Sequence, residues 1–223
     1  MPLDKKLFAR FLVEEGVLLF GEFTLKSGRQ SPHFFNTGKL DSGRALNALG
    51  GFFAQRLREL GGCDIVFGPA YKGIPLAVAV AGAYDKLYGT STGICFDRKE
   101  AKRHADKGLF VGRTPKTGEK VILVDDVISS GISLKGAADI LKDHFNVIPS
   151  YALVAVDRME RGEEGIDSAA SELHRLKGVK LEALITLEEV VHALEGQSIG
   201  GKVVLDSAQK ARVLQYLDTH GVR

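Results

Sequence analysis

Two adjacent aspartates, Asp125 and Asp126, lie in the segment VILVDDVISSGIS, which spans residues 121–133. The loop after them is rich in Ser and Gly, and such small residues let backbone N–H groups approach a phosphate closely. Carboxylates repel a phosphate, but they accept hydrogen bonds from sugar hydroxyls and bind divalent cations. The segment therefore predicts a binding site for a sugar phosphate.

A helix N-cap is the alternative explanation of this segment, because Asp and Ser are also favoured at that position. Two acids directly after a four-residue apolar run, followed by a loop of small residues, favour a ligand site instead. Two other phosphate-binding patterns, G-x-x-x-x-G-K-[ST] and G-x-G-x-x-G, do not occur in the chain.

A basic segment between Arg98 and Lys116 contains seven Lys or Arg against two acids, with His104 among them. The formal net charge of the chain is only +2, so the positive charge is local and gives no indication of nucleic-acid binding. A solvated charged surface is the ordinary explanation of such a run. On a long loop of a nearly neutral protein, the cations indicate a polyphosphate ligand instead.

Two further polar positions stand at the ends of predicted strands. In GPAYKG (68–73) the Gly and Pro residues predict a tight turn from which Tyr71 and Lys72 project. Arg158 follows the apolar run YALVAVD, and a guanidinium there can bind a carboxylate through two hydrogen bonds. A plain surface turn and a surface arginine are the alternatives.

The elements that must position these residues alternate between strands and helices. Helices are predicted after Asp4 up to about Gly16, over about 41–60, 74–87 and 133–144, and after the capping residues Thr186 and Asp206. Strands are predicted at about 63–68, 91–96, 120–125 and 149–156, with short strands and turns between the first two helices. The polar residues 159–172 predict a loop. This alternation predicts an α/β fold with a parallel sheet covered on both faces.

Location and redox state are predicted from simple features of the chain. Cys63 and Cys95 have no metal-ligand spacing, so they are expected to be free thiols in a reducing cytosol. The first residues are charged and no apolar run approaches the length of a membrane span. A cytoplasmic protein is expected.

The segment 121–133 resembles the motif that binds 5-phosphoribosyl 1-diphosphate (PRPP) in the type I phosphoribosyltransferases. Four further stretches are similar to the orotate phosphoribosyltransferases: TLKSGRQSPHFFNTG, GPAYKGIPLA, FDRKEAKRHADKG and VDRMERG. The resemblance implies a PRPP-binding α/β core over 41–190, with a mobile basic loop at about 98–116. It also implies a small flap, or hood, formed by residues 1–40 over the base and by a C-terminal helical segment, 191–223.

The resemblance further implies that PRPP and orotate react to give orotidine 5′-phosphate and pyrophosphate, as in the synthesis of UMP. The implied catalytic residues are Lys102, Asp125 and Asp126. The residues implied for PRPP are Lys26, Tyr71, Lys72, Arg98, Lys99, Lys102, His104, Asp125, Asp126, Val127, Ile128, Ser129, Ser130, Gly131, Ile132 and Ser133. The residues implied for orotate are Phe34, Phe35, Ser129 and Arg158. At Ser129 and Ile132 the family usually has Thr.

Cofactor and partners are implied in the same way. Mg²⁺ is expected to bind mainly through PRPP and water, with no strong protein ligand. A homodimer is expected, in which Lys99, Lys102 and His104 reach the active site of the neighbouring subunit. No nucleic acid or membrane partner is expected. A transferase for another base, such as a purine, and a PRPP sensor without turnover remain as alternatives, although VDRMERG disfavours the first and the basic loop disfavours the second.

Overall fold

The computed structural model describes residues 2–25, 28–98 and 108–222. Its central sheet consists of β3 (Ile65–Phe67), β4 (Gly93–Asp97), β5 (Phe110–Gly112), β6 (Val121–Ile128), β7 (Tyr151–Asp157) and β8 (Lys180–Thr186). The strand order is β5-β4-β3-β6-β7-β8. All neighbouring strands in it are parallel except β4 and β5. The predicted α/β fold with a mainly parallel sheet is confirmed.

Helices cover both faces of this sheet. They are α1 (Lys5–Glu14), α2 (Gly43–Glu59), α3 (Gly73–Tyr88), α4 (Ile132–Phe145), α5 (Ala169–Lys177), α6 (Leu187–Leu194) and α7 (Ser207–His220). Ile122 and Val124 of β6 pack in one apolar cluster with α1, α2, α3, α6 and α7, whereas Val121 and Leu123 pack in a second cluster with α4 and α5. Successive strand residues point to opposite faces, so β6 is buried on both sides.

Two small antiparallel hairpins lie outside the central sheet. The first pairs β1 (Leu18–Thr24) with β2 (Gln30–Phe35) and leads into a short 3-10 helix, Thr37–Lys39. The second pairs β9 (Ser198–Ile199) with β10 (Lys202–Val203). Helix α7 is tied to the first hairpin because the Gln209 side chain donates to the carbonyl of Pro32 at 2.9 Å. The hairpin and α7 therefore form one layer beside the sheet.

Three of the local predictions are wrong in part. Strand β6 does not end at Asp125 but continues through both acids, because its ladder with β7 extends beyond them to Val127 and Ile128. The predicted loop at 159–172 ends earlier, since α5 occupies its last residues. The basic segment 98–116 is not entirely loop, since β5 lies within it and pairs with β4.

The two late capping signals have different outcomes. Thr186 and Glu189 form the predicted reciprocal capping box of α6. Asp206 caps α7 by accepting from the backbone N–H of Gln209, but the Gln209 side chain binds the hairpin instead of completing a box. Both helices begin where the capping residues predict.

Cys63 and Cys95 are both free thiols, as predicted. Burial raises the pKa of each to about 12, so neither is a reactive thiolate near neutral pH. Across the part of the chain that the structure describes, no helix is both long enough and apolar enough to cross a bilayer.

Candidate active site

The two acids lie near the carboxyl end of the central strand β6. Asp126 accepts hydrogen bonds from the ammonium group of Lys72, at 2.8 Å, and from the hydroxyl of Thr37. Lys72 also donates to Thr37 at 2.9 Å. Three segments that are remote in sequence therefore meet at one carboxylate, and Thr37, which the sequence analysis did not identify, is one of them.

The two carboxylates have different electrostatic environments. Burial and the negative charge of Asp126 raise the pKa of Asp125 to about 6, although its hydrogen bond from Ser133 acts in the opposite direction. Burial also acts to raise the pKa of Asp126, but the hydrogen bonds from Lys72 and Thr37 outweigh it and hold that pKa below its usual range. Neighbouring carboxylates with pKa values pushed apart are typical of functional sites.

The loop after the acids forms a small cavity of about 80 Å³, lined by residues 127–134 and Asp125. Gly131 lies in the left-handed region at a φ of 76°, and no side chain caps the helix α4 that follows it. The first N–H groups of an uncapped helix carry partial positive charge. The cavity can therefore hold a phosphate group. Ile132, where the family usually has Thr, is 57% exposed at its edge.

The turn GPAYKG places Lys72 beside Asp126. Gly68 and Gly73 approach so closely that a Cβ atom on Gly68 would lie 2.0 Å from the carbonyl oxygen of Gly73. The carboxylate of Asp97, at the end of β4, accepts from the backbone N–H of Ala70 at 2.8 Å. The Ala70–Tyr71 peptide bond is cis. Glycine at both ends and Asp97 together fix the turn whose last side chain reaches the acids.

A central cleft of about 820 Å³ lies between the β1–β2 hairpin and the ends of β6 and β7. The predicted residues that line it are Phe34, Phe35, Lys72, Ser129, Ser130 and Arg158. It is also lined by Leu25, Arg29, Asn36, Thr37, Gly38, Glu160, Arg161, Gly162 and Glu163, which the sequence analysis did not identify. All four residues predicted for the base are thus brought together with Lys72 and Ser130, which are predicted for PRPP.

The aromatic wall of the cleft comes from β2. The ring of Phe34 is 37% exposed and stacks on Phe23, with ring centroids 5.5 Å apart. Phe35 packs against the core and against the edge of the buried His33 ring at 5.7 Å. The hairpin therefore offers a flat apolar surface suited to a planar base.

The cationic end of the cleft contains Arg158 and Arg29. Arg158 donates to the carboxylate of Glu160 at 2.5 Å, and Arg29 donates to the hydroxyl of Tyr216 at 3.2 Å. Of these, sequence reasoning identified only Arg158. Glu160 stands two positions after Arg158 in VDRMERG, so its proximity to the arginine could have been inferred from the sequence. The contact between Arg29 and Tyr216 could not, because neither residue has a neighbour along the chain that indicates it.

Of the predicted residues that the structure describes, Tyr71 and Arg98 are not among those that line this cleft. Tyr71 is 68% exposed on the turn, and Arg98 directly follows β4, where its N–H donates to Leu109 at 2.7 Å. Lys26, Lys99, Lys102 and His104 lie outside the described residues. Their predicted roles remain predictions.

Residues 37–175 match the family of phosphoribosyl transferase domains. The matched range begins at Thr37 and includes the turn, both acids, the phosphate loop and Arg158. Because the match covers more than half of the chain, the protein belongs to the phosphoribosyltransferase family.

Similar proteins that cover most or all of the chain identify the subfamily. An orotate phosphoribosyltransferase of Clostridium acetobutylicum is 44% identical over 225 residues, covering 100% of both chains. One from Pseudomonas fluorescens is 45% identical over 87% of this chain and 90% of its own. The crystal structure of the orotate phosphoribosyltransferase of Francisella tularensis is 32% identical, covers 97% of this chain and 100% of its own, and has a TM-score of 0.81. Within the family, the chain belongs to the orotate phosphoribosyltransferases.

Proposed function

We propose that the central cleft is the site where the phosphoribosyl group of PRPP is transferred to orotate, giving orotidine 5′-phosphate and pyrophosphate. The convergence of Lys72, Thr37 and Asp126 at the cleft is the observation that carries this proposal. In it, Asp125 and Asp126 bind the ribose hydroxyls and the loop Ser129–Ser133 binds the 5-phosphate. Arg158 and the aromatic wall bind orotate.

The residues act mainly by position and charge. Breaking the bond from C1 to pyrophosphate builds positive charge on the ribose ring and negative charge on the leaving group. The carboxylates of Asp125 and Asp126 hold the ring at the hydroxyl side, while Tyr71, Lys72 and Arg98 are assigned to the diphosphate side. Transfer in this form needs no covalent nucleophile, and the basic loop is assigned the role of excluding water.

Mg²⁺ is proposed to enter with PRPP. When bound, it neutralises charge on the pyrophosphate leaving group. This cation typically keeps several waters and uses one or two carboxylates together with substrate phosphates, which matches a site with two adjacent acids. Asp126 is already engaged by Lys72 and Thr37, which leaves less of its carboxylate for a cation. The donor chemistry therefore favours a cation held chiefly by its substrate.

The direct test is the loss of orotate absorbance on addition of PRPP and Mg²⁺. Hypoxanthine, adenine and uracil serve as control bases. Consumption of orotate alone supports the proposal. Consumption of another base would assign the cleft to a different transfer, and PRPP binding without consumption of any base would make the protein a sensor.

Replacing Arg158 with Ala should raise the KM for orotate by roughly 10- to 100-fold and leave the KM for PRPP nearly unchanged. Loss of a charge-assisted hydrogen bond typically costs about 1.5–3 kcal/mol. Steady-state kinetics with each substrate varied in turn provides the measurement. Arg175→Ala is the matched control, because Arg175 pairs with Glu164 outside the cleft. An unchanged KM for orotate would place Arg158 outside the base site.

The homodimer is proposed with α3 in its interface. The sequence of α3, GIPLAVAVAGAYDKLY, is apolar on nearly every side, as is typical of a helix buried all round. In the single chain, however, Val78 is 51% exposed in a groove of about 650 Å³ between α2 and α3. Gly43, Pro75, Gly82 and Lys86 also line this groove. A second copy of the chain, packing the same surface on itself, would bury it.

Replacing Val78 with Glu should convert the dimer to a monomer. A carboxylate buried without a partner costs several kcal/mol, so the dissociation constant of the dimer should rise by roughly 100-fold or more. Light scattering after size exclusion gives the mass directly. Val203→Glu is the control, since Val203 is 59% exposed in the small β9–β10 hairpin. Equal masses for both variants and the parent would exclude the α2–α3 surface.

The boundaries of the hood and the location of the protein are also proposals. The contacts between β2 and α7 support a hood made of residues 1–40 and 191–223 around a core of 41–190. The two free thiols support a reducing, cytoplasmic location.

A further inference from the structure

Four side chains form a connected cluster behind the proposed base site, and we call it the Glu160 cluster: Arg29, Arg158, Glu160 and Tyr216. One oxygen of Glu160 accepts from Arg158 at 2.5 Å and from the hydroxyl of Tyr216 at 3.1 Å. Its other oxygen lies 3.9 Å from Arg29. The same Tyr216 hydroxyl accepts from Arg29 at 3.2 Å. Every member therefore contacts the carboxylate of Glu160.

Glu160 is buried, with 8% of its surface exposed. The backbone around it is also fixed, since it bridges to Gly221 after α7 and its carbonyl accepts from Ala169 at the start of α5. Such a carboxylate has little freedom to turn away from its partners. The position of the Arg158 guanidinium is therefore set by an element that cannot move easily.

His33 packs under the cluster without adding charge to it. Its ring is fully buried, meets the Tyr216 ring edge-on at 5.2 Å, and its nitrogens have no hydrogen-bond partner among the described residues. Burial and the nearby charge of Arg158 lower the pKa of His33 to about 3, so the ring is neutral. Within the cluster, two guanidinium groups thus face one carboxylate, which leaves one positive charge for an anionic base.

Orientation matters as much as charge here. A guanidinium binds a carboxylate through two hydrogen bonds only when both groups lie in one plane. Because Glu160 accepts from the Nη2 atom of Arg158, it restricts the orientations that this plane can take. Without Glu160, the two arginines would share the site with no countercharge between them, and Arg158 would lose its alignment.

We propose that Glu160 is a positioning residue that aligns Arg158 for the carboxylate of orotate, and that Tyr216 extends this support to helix α7. The inference rests on the proposed role of Arg158 at the base. It assigns specificity for an anionic base to a contact between the loop after β7 and the hood, not to Arg158 alone.

Glu160→Gln keeps the size of the side chain but removes its charge. The KM for orotate should rise roughly fivefold to twentyfold, because a charge-assisted hydrogen bond becomes an ordinary one, while the KM for PRPP stays within about twofold. Tyr216→Phe should raise the KM for orotate by a smaller factor, about two to five. Glu164→Gln, in the same loop but paired with Arg175 at the surface, is the control and should change neither value.

The effect of Glu160→Gln should reverse its sign when Arg158 is already Ala. In that background the carboxylate of Glu160 has no Arg158 to align and its negative charge opposes an anionic base, so removing that charge should lower the KM for orotate. This reversal distinguishes a positioning role from a general role in stabilising the fold. If Glu160 only stabilised the fold, the effects of Glu160→Gln and Arg158→Ala on the KM for orotate would add.

The inference is overturned if Glu160→Gln leaves or lowers the KM for orotate in the parent enzyme, raises both KM values together, or adds to the defect of Arg158→Ala. If Glu160→Gln does not fold, as judged by circular dichroism, Tyr216→Phe decides, and an unchanged orotate KM in that variant overturns the inference too. Failure of the base assignment itself is distinguishable, because Arg158→Ala alone would then have a normal KM for orotate.

Discussion

Turnover should fall by roughly 10²- to 10⁴-fold when Asp125 and Asp126 are both replaced with Asn. Each carboxylate is assigned to a ribose hydroxyl, and a hydrogen bond to a charged group contributes about 1.5–3 kcal/mol. Two such losses correspond to about 3–6 kcal/mol, at about 1.4 kcal/mol for each tenfold change in rate. The assay is consumption of orotate at saturating PRPP and Mg²⁺. A folded double variant with normal turnover would show that the acids do not hold the sugar.

The folded state should survive the replacement of Asp125 in particular, for a reason that can itself be measured. The pKa of Asp125 is raised from 3.8 to about 6 by burial and by the charge of Asp126, so the folded protein holds this proton more tightly than the unfolded chain does. Stability contributed by this residue is therefore present below about pH 4, declines as the pH rises to about 6, and is absent above that.

The single variant Asp125→Asn makes this visible, because Asn cannot ionise. Its melting temperature at pH 8 should equal or exceed that of the parent, and the difference should vanish near pH 4. A lower melting temperature at pH 8 would mean that the carboxylate of Asp125 stabilises the fold. In that case the loss of turnover in the double variant would not by itself identify a sugar site.

Mixing two inactive variants, Lys102→Ala and Asp126→Asn, should restore about one quarter of all active sites. The resemblance assigns Lys102 to the loop that closes over the neighbouring subunit, so each active site combines Asp126 of one chain with Lys102 of the other. In a symmetric mixed dimer, one site receives both lesions and the other receives neither. Random exchange makes about half of the dimers mixed, which gives one intact site in about four.

The experiment needs verified subunit exchange and a matched control mixture. Asp125→Asn mixed with Asp126→Asn provides it, because both lesions fall on the same chain's part of the site and every site of the mixed dimer retains one of them. That mixture should regain nothing. If the activity of the mixture of Lys102→Ala and Asp126→Asn also stays at the sum of the two separate activities after exchange, Lys102 serves the active site of its own chain or none.

Contiguous motifs made much of the active site predictable. Asp125, Asp126 and the phosphate loop occupy nine adjacent residues, 125–133, and they lie at the carboxyl end of a strand, where ligands bind in parallel sheets. Contacts between distant segments were not predictable. Thr37 meets Asp126 across 89 residues, and Arg29 meets Tyr216 across 187. No local pattern reports such pairs.

Two errors in the predicted elements have physical causes. The length of β6 is decided by its neighbour β7, whose ladder carries the strand past the acids. Helix α5 was missed because its inward face includes Glu172, which is 1% exposed and pairs with Lys135 of α4. A charged residue at a core position breaks the apolar period on which a helix prediction depends.

The ion pair between Lys72 and Asp126 has a consequence for which molecules the enzyme can accept. The side chain of Lys72 is 66% exposed and that of Asp126 is 15% exposed, so the lysine can swing away while the aspartate stays. Under the proposed roles, an arriving sugar displaces Lys72 from Asp126, and the diphosphate of the same molecule receives it. Binding of intact PRPP therefore replaces the ion pair between Lys72 and Asp126 with two contacts to the ligand: one from Asp126 to the sugar and one from Lys72 to the diphosphate. Ribose 5-phosphate, which lacks the diphosphate, would leave the displaced lysine without a partner, so under these roles the free enzyme discriminates against ribose 5-phosphate in favour of the intact donor.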